Sequence, residues 1–169
     1  MGKEEAILSM LSEIRDLLRG SHPEEKRVVD ILSGEKRDLE ELKYADDRAI
    51  DLHDGNFLDI YLSLYFKRPH FWEGPGSEKH INRGEAEKYV AESGGDLPEI
   101  FALTSLYDYA KGCLVPAAVK MGFKTDDWYW AKEHSGDPVC ARMVNLKHGS
   151  VFYDGKASSN YVRCVRLSQ

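Results

Sequence analysis

From residue 128 onward the chain contains a series of short β-prone segments, and this series is the feature that most constrains its fold. The segments begin near Trp128, Cys140, Ser150 and Tyr161, and Gly, Pro, Asn or Ser residues separate them. Aromatic and β-branched residues favour strands, whereas the separating residues favour turns. The pattern predicts short antiparallel strands, with a hairpin turn at residues 147–150.

Two helices are predicted before these strands. Asn82 lies three residues before Glu85, which is the spacing of a capping box, and Gly94 follows the segment as a helix terminator. A second helix is predicted from Pro98 to Gly112, because Pro suits the first helical turn. Two helices followed by a meander of strands indicate an α+β domain.

The segment before these helices has weaker patterns. Residues 53–56 have a turn sequence, and the aromatic and aliphatic residues at 57–66 predict strand structure, although they do not alternate cleanly. Residues 33–48 are dense in charge and are interpreted as a linker or a solvated helix. The sequence therefore predicts a helical extension and linker at 1–48, followed by one domain at 49–169.

Near the N-terminus the sequence has an amphipathic pattern, in which apolar residues recur at three- and four-residue steps between Glu4 and Arg19. A helix of this length is unstable alone in water, so it docks on its own domain or associates with copies of itself, and both alternatives stay open. The spacing also fits a short coiled coil in a homo-oligomer such as a trimer. The candidate oligomerisation residues are Ile7, Met10, Leu11, Ile14, Leu17 and Leu18.

Charge and hydropathy disfavour several classes of partner. The chain has 23 Lys and Arg residues against 29 Asp and Glu residues, and its formal charge is -6. It lacks the basic excess that binding to a phosphate backbone requires. Glu4 and Glu5 stand where a secretory signal would be basic, and no long apolar run follows them. We expect synthesis in the cytoplasm without a signal peptide, no nucleic-acid partner and no membrane insertion.

The residues that usually carry catalysis show none of the familiar spacings. The six histidines lack a metal-binding motif, and no nucleotide-binding loop or Ser/His/Asp order is present. Cys113, Cys140 and Cys164 have no C-x-x-C spacing, so we interpret them as reduced thiols, two of them in the core. The sequence predicts no catalytic site, no bound metal and no cofactor.

Five stretches of the chain occur in an order found in a known family. They are GEAEKYV at 84–90, GGDLPEIFAL at 94–103, DWYWA at 127–131, ARMVNLKHG at 141–149 and YVRCVR at 161–166. In this order they resemble the Fibrobacter major paralogous domain group, which is similar to the formylglycine-generating-enzyme branch of C-type-lectin-like folds. The family usually has Trp-Arg-Leu-Pro-Thr before its second helix, whereas this chain has Gly-Asp-Leu-Pro-Glu at 95–99.

This resemblance implies a C-type-lectin-like domain, with a small twisted antiparallel sheet, two helices packed against it and long loops on one side. The group occurs in bacterial surface proteins and phages, and related folds serve as ligand-binding scaffolds, so a non-catalytic binding module such as a receptor-binding protein is the first expectation. A structural or assembly component of a phage virion is the alternative, since virion proteins are made in the cytoplasm and act outside it. An enzyme of the formylglycine-generating-like group is third. These expectations rest on analogy between folds.

In related folds the solvent-facing residues of the last strands contact the ligand, and the same strands carry aromatic and basic residues here. The aromatic residues are either core positions or alternately directed outward. If Val144 and Leu146 face the core, then Asn145 and Lys147 face outward. Rings and basic groups together suit a protein or glycan ligand. The candidate ligand-binding residues are Trp128, Trp130, Lys132, His134, Arg142, Asn145, Lys147, His148, Tyr153, Lys156 and Asn160.

Overall fold

The computed structural model describes residue 12, residues 39–76 and residues 78–167. These residues form a mixed α and β protein with several antiparallel strand pairs and short helices, so the predicted α+β class is confirmed. None of the described helices has the length and apolar character that crossing a membrane requires. The candidate oligomerisation residues between 7 and 18 lie outside the described residues.

The helices and strands alternate irregularly along the chain. Among the described elements most have fewer than eight residues, and the longest described helix follows the first four strands. In chain order they are α1 (Leu39–Lys43), β1 (Ala49–Asp51), β2 (Asn56–Asp59), α2 (Ile60–Phe66), β3 (Phe71–Glu73), β4 (Lys79–Ile81), α3 (Arg83–Glu92), α4 (Ile100–Thr104), β5 (Tyr107–Asp108), β6 (Cys113–Leu114), α5 (Pro116–Lys120), β7 (Trp128–His134), β8 (Cys140–Asn145), β9 (Ser150–Gly155), β10 (Asn160–Val162) and β11 (Val165–Arg166).

The strands form a four-stranded sheet in the order β1-β2-β3-β11, a five-stranded sheet in the order β4-β10-β7-β8-β9, and the separate pair β5-β6. The prediction that the C-terminal strands are all antiparallel is wrong for one pair, because β10 runs parallel to β7, with Tyr161 opposite Tyr129. After β9 the chain crosses back to the far side of β7, and this crossover makes β10 run in the same direction as β7.

The five-stranded sheet is buried on both faces at its centre. Tyr129 and Val144 are opposite each other and belong to the main core, which also contains the four-stranded sheet. The neighbouring pair, Trp130 and Met143, faces the other side and packs with Ala86 on α3. Alternate residues of β7 therefore enter different cores, which is why this part of the sequence is apolar without a clean alternation.

The first half of the domain differs from the prediction at residues 57–66. The strand β2 ends at Asp59, and a helix begins at Ile60, with the Asp59 carboxylate accepting a hydrogen bond of 3.1 Å from the N–H of Leu62. The strand prediction was wrong for this second half. Helix α2 buries four consecutive residues from Ile60 to Ser63, so its sequence lacks the periodicity of a half-exposed helix.

The two predicted helices have different outcomes. Helix α3 is confirmed, and Asn82 caps it by accepting a 2.9 Å hydrogen bond from the N–H of Glu85. The helix predicted from Pro98 to Gly112 is wrong beyond Thr104, because α4 ends there and the chain enters the β5-β6 hairpin. Gly112, with a φ of 68°, lies in the turn of that hairpin instead of ending a helix.

Residues that the sequence assigned to the linker belong to the packed unit. Leu42 on α1 is 1% exposed, and Arg48 is fully buried. Arg48 donates hydrogen bonds of 3.0 and 2.9 Å to the Asp59 carboxylate. Burial raises the pKa of Asp59, but the charge and hydrogen bonds of Arg48 outweigh it and hold the pKa below its usual value. The predicted boundary after residue 48 therefore falls inside the core.

Candidate ligand-binding face

The candidate face is built on the hairpin of β8 and β9, which pair in one unbroken register from Cys140 opposite Gly155 to Asn145 opposite Ser150. The predicted turn at 147–150 is confirmed. It contains Gly149 at a φ of 67°, a left-handed conformation that glycine adopts without strain. The Tyr109 hydroxyl donates a 2.5 Å hydrogen bond to the Gly149 carbonyl, which fixes the turn to the β5-β6 connection.

Strand β9 presents three consecutive large side chains to solvent. Val151, Phe152 and Tyr153 are 39%, 54% and 47% exposed. The rings of Phe152 and Tyr153 are stacked with their centroids 5.0 Å apart, and the half-buried Trp128 lies 6.4 Å from Phe152. A contiguous exposed apolar surface of this kind is typical of a binding site.

Basic groups surround these rings. The Arg142 guanidinium lies 5.9 Å from the centroid of the Tyr153 ring. Lys147 and His148 are exposed in the turn at one end of β9, and the half-buried Lys156 follows the other end. The one carboxylate on β9, Asp154, already accepts hydrogen bonds from the N–H of Gly155 (2.8 Å) and the hydroxyl of Ser158 (3.1 Å). The three cations Arg142, Lys147 and Lys156 outnumber this carboxylate, so the local charge around the rings is positive.

The predicted alternation at the end of β8 is confirmed, since Val144 and Leu146 are buried while Asn145 is half-buried and Lys147 exposed. The Asn145 side chain is committed to the turn, where its oxygen accepts a 2.8 Å hydrogen bond from the N–H of Lys147. Asn145 therefore shapes the face more than it presents a group to a ligand.

Two candidate residues are not on the surface. Trp130 is fully buried, and its indole N–H donates a 2.9 Å hydrogen bond to the carbonyl of Ile81. Asn160 is 3% exposed and lies 3.4 Å from the Asp154 carboxylate. Their prediction as ligand contacts was wrong, because the centre of the five-stranded sheet is covered on both faces.

Two further candidates are exposed but are not grouped with the rings. Lys132 pairs with Asp96 at 2.8 Å, beside the connection between α3 and α4. His134 is exposed at the end of β7, opposite Ala141. The structure therefore brings together Trp128, Arg142, Lys147, His148, Tyr153 and Lys156 around the β8-β9 hairpin.

The candidate residues chosen from the sequence did not include Val151 and Phe152. Both lie in a strand whose residues are exposed on both of its faces, whereas an alternating pattern predicts that one of the two is buried. The cause is the position of β9 at the end of the sheet order, which depends on how distant strands pair. A run of large apolar residues without alternation, following a turn, is the one local signal of this exposure.

Reactive groups are sparse in the described part of the chain. It contains no cluster of three His, Cys, Asp or Glu side chains arranged to hold a metal ion. All three cysteines are free thiols, but only Cys164 is fully buried, so the prediction of two core cysteines was wrong. Burial raises the pKa of Cys164 to about 12, and such a thiol is a poor nucleophile near neutral pH.

Comparison with known protein families and curated proteins identifies no relative of this chain. No family model matches the chain, and no curated protein matches it. The likeness to the C-type-lectin-like group therefore rests on the five stretches of sequence quoted above.

Proposed function

We propose that the chain is a non-catalytic binding module on a C-type-lectin-like domain, and that its ligand contacts the face formed by β8, β9 and their turn. The observation that supports this most is the exposed row Val151, Phe152 and Tyr153 with Arg142 beside it. Large rings and Arg are the residues that contribute most of the binding energy at protein interfaces.

The hairpin is also held in place before a ligand arrives. The buried Val144 fixes β8 against the main core, and Tyr109 fixes the turn at Gly149. Less conformational entropy is lost when a ligand meets side chains that are already positioned. This arrangement supports a binding role for a surface that contributes little to the core.

The chemistry of the face favours a ligand with acidic groups. Lys147, His148 and Arg142 offer N–H donors, while the rings offer apolar area. An acidic patch of a protein or an acidic glycan would satisfy both at once. Complementary charge of this kind mainly raises the rate and the specificity of association.

The test compares two double variants on peptide and glycan arrays, followed by calorimetry with the ligand that the arrays identify. Lys147→Gln with Phe152→Gln should weaken binding ten-fold or more and leave the melting temperature nearly unchanged, because both side chains are exposed. The matched control, Lys88→Gln with Val119→Gln, replaces exposed residues elsewhere and should bind as wild type.

Equal affinity in both double variants would place the contacts on the N-terminal extension or on the loops before residue 80. Arrays on which the wild-type chain finds no ligand at all would count against a binding module.

A further inference from the structure

Strand β9 has an open backbone edge in the described part of the chain. It lies at the end of the five-stranded sheet and pairs only with β8, over the six residues from Ser150 to Gly155. In an edge strand, alternate residues direct their N–H and C=O groups away from the sheet. The outer side of β9 is thus a row of backbone donors and acceptors beside the exposed rings.

The other edges of the two large sheets are short or covered. Strand β4 has three residues and exposes Lys79 and His80. On β1, the carbonyl of Ala49 accepts a 2.7 Å hydrogen bond from the Lys120 ammonium. On β11, Val165 exchanges two backbone hydrogen bonds of 2.9 Å with Asp96. Such features are known to prevent unwanted strand pairing.

Strand β9 has fewer of these protective features. It contains no Pro, no Lys and no bulge, its one charged residue is Asp154 near its end, and its unbroken register with β8 keeps the edge regular. An apolar edge of this length is a template for pairing with another extended chain. Among the described residues, β9 is therefore the edge of the two large sheets that is most accessible to a partner strand.

The charge around β9 determines which kind of extended chain can pair with its open edge. In an isologous pairing, a second copy would bring Arg142 and Lys147 of both copies to one interface, and like charges there are unfavourable. Each copy has one carboxylate on β9, Asp154, against these two cations, so the interface keeps a positive excess. An acidic segment meets complementary charge instead.

We infer that β9 receives an extended, acidic segment of a partner protein as an additional strand of the five-stranded sheet. Backbone hydrogen bonds supply affinity. Because successive side chains of a strand point to opposite faces of the sheet, the apolar side chains of the segment pack on Phe152 at one face, and its carboxylates meet Arg142 beside Tyr153 at the other face, near Lys147 in the turn. This inference depends on the proposed function and specifies its ligand.

The probe is a synthetic ten-residue peptide of alternating valine and glutamate, added to the isotope-labelled full chain. Binding should slow hydrogen exchange at least ten-fold at alternate amides of β9, because only the outward N–H groups gain a partner. A peptide of alternating valine and lysine should bind at least ten-fold more weakly. The variant Arg142→Gln with Lys147→Gln should lose ten-fold or more in affinity for the glutamate peptide, and Lys88→Gln should not.

Several outcomes overturn strand addition while the proposed function survives. In the first, binding depends on Lys147 and Phe152, but hydrogen exchange at the amides of β9 does not become slower. Another is failure of the glutamate peptide to bind when a ligand identified by the arrays still binds at this hairpin. A third is that the outward amides of β9 are already protected in the free chain, which shows that this chain or its copy covers the edge. If Lys147→Gln with Phe152→Gln affects no ligand, both proposals fail.

Discussion

His70 is an imidazole enclosed by aromatic rings. Its ring centroid lies 6.0 Å from that of Phe66 and 5.2 Å from that of Trp72, and the residue is 2% exposed. Its Nδ1 atom has no hydrogen-bond partner among the residues that the structure describes. Burial lowers the pKa of His70 to about 4, and the nearby carboxylate of Asp59 opposes this only in part. The ring is therefore neutral at physiological pH.

The depressed pKa of His70 predicts a pH-dependent stability. The unfolded chain takes up a proton near pH 6.5 and the folded chain only near pH 4, so the free energy of unfolding should fall as the pH drops between these values. The full loss is about 3 kcal/mol, from about 1.4 kcal/mol for each pKa unit. Urea unfolding at pH 7, 6, 5 and 4.5 measures it.

His70→Phe should remove most of this slope, because it keeps a ring against Phe66 and Trp72 and has no titrating group. His134→Phe replaces an exposed imidazole and should keep the wild-type slope. If the slopes of wild type and His70→Phe are the same, another group causes the acid sensitivity.

At the scale of the element, the turn between β8 and β9 is fixed by close packing around Gly149. A Cβ atom at this position would lie 2.5 Å from the Tyr107 ring and 2.7 Å from the Tyr109 ring, and the φ of 67° disfavours other residues. Gly149→Ala should therefore lower the free energy of unfolding by about 1–3 kcal/mol.

Gly136 provides the matched control for this turn. A Cβ atom there would meet nothing within 4 Å, so Gly136→Ala should change the free energy of unfolding by less than about 0.5 kcal/mol. Thermal and urea unfolding of the two variants compare them directly. Equal stability would mean that the tyrosines move aside and that the turn is not anchored by them.

The elements that the sequence predicts well are those with local determinants. Helix α3 has its cap at Asn82, and the β8-β9 turn has its glycine at 149, so short-range chemistry is sufficient for both. Helix α2 was not predicted because Ile60 and the three residues after it are all buried, so its sequence shows no amphipathic pattern. Only the tertiary fold provides that burial. The exposure of Phe152 is equally non-local, since it follows from the position of β9 in the sheet order.

At the scale of the whole molecule, the amphipathic pattern near the N-terminus predicts self-association. Static light scattering on the full chain should give the mass of a homo-oligomer, and a variant lacking residues 1–22 should give the mass of a monomer, because it has lost the apolar seam with Ile7 and Leu17. The shortened variant keeps every residue of the described core, from Leu42 onward, so its melting curve should stay close to that of the full chain.

Equal monomer masses for the two chains would remove self-association and favour docking of the segment on its own domain. Equal oligomer masses would move the interface into the domain, where the open edge of β9 is the first surface to examine.

The last two described strands join both large sheets to parts of the chain that are distant in sequence. Strand β10 inserts between β4 and β7, and β11 completes the other sheet on β3. A nascent chain that has not reached Asn160 leaves β4 without its described neighbour, and until Val165 is made Trp72 lacks one of its two cross-strand partners. Long-range closure of this kind delays folding until synthesis has passed both strands. A chain whose synthesis stops before these strands therefore has exposed apolar sheet faces. Chaperones and proteases can distinguish it from the finished domain.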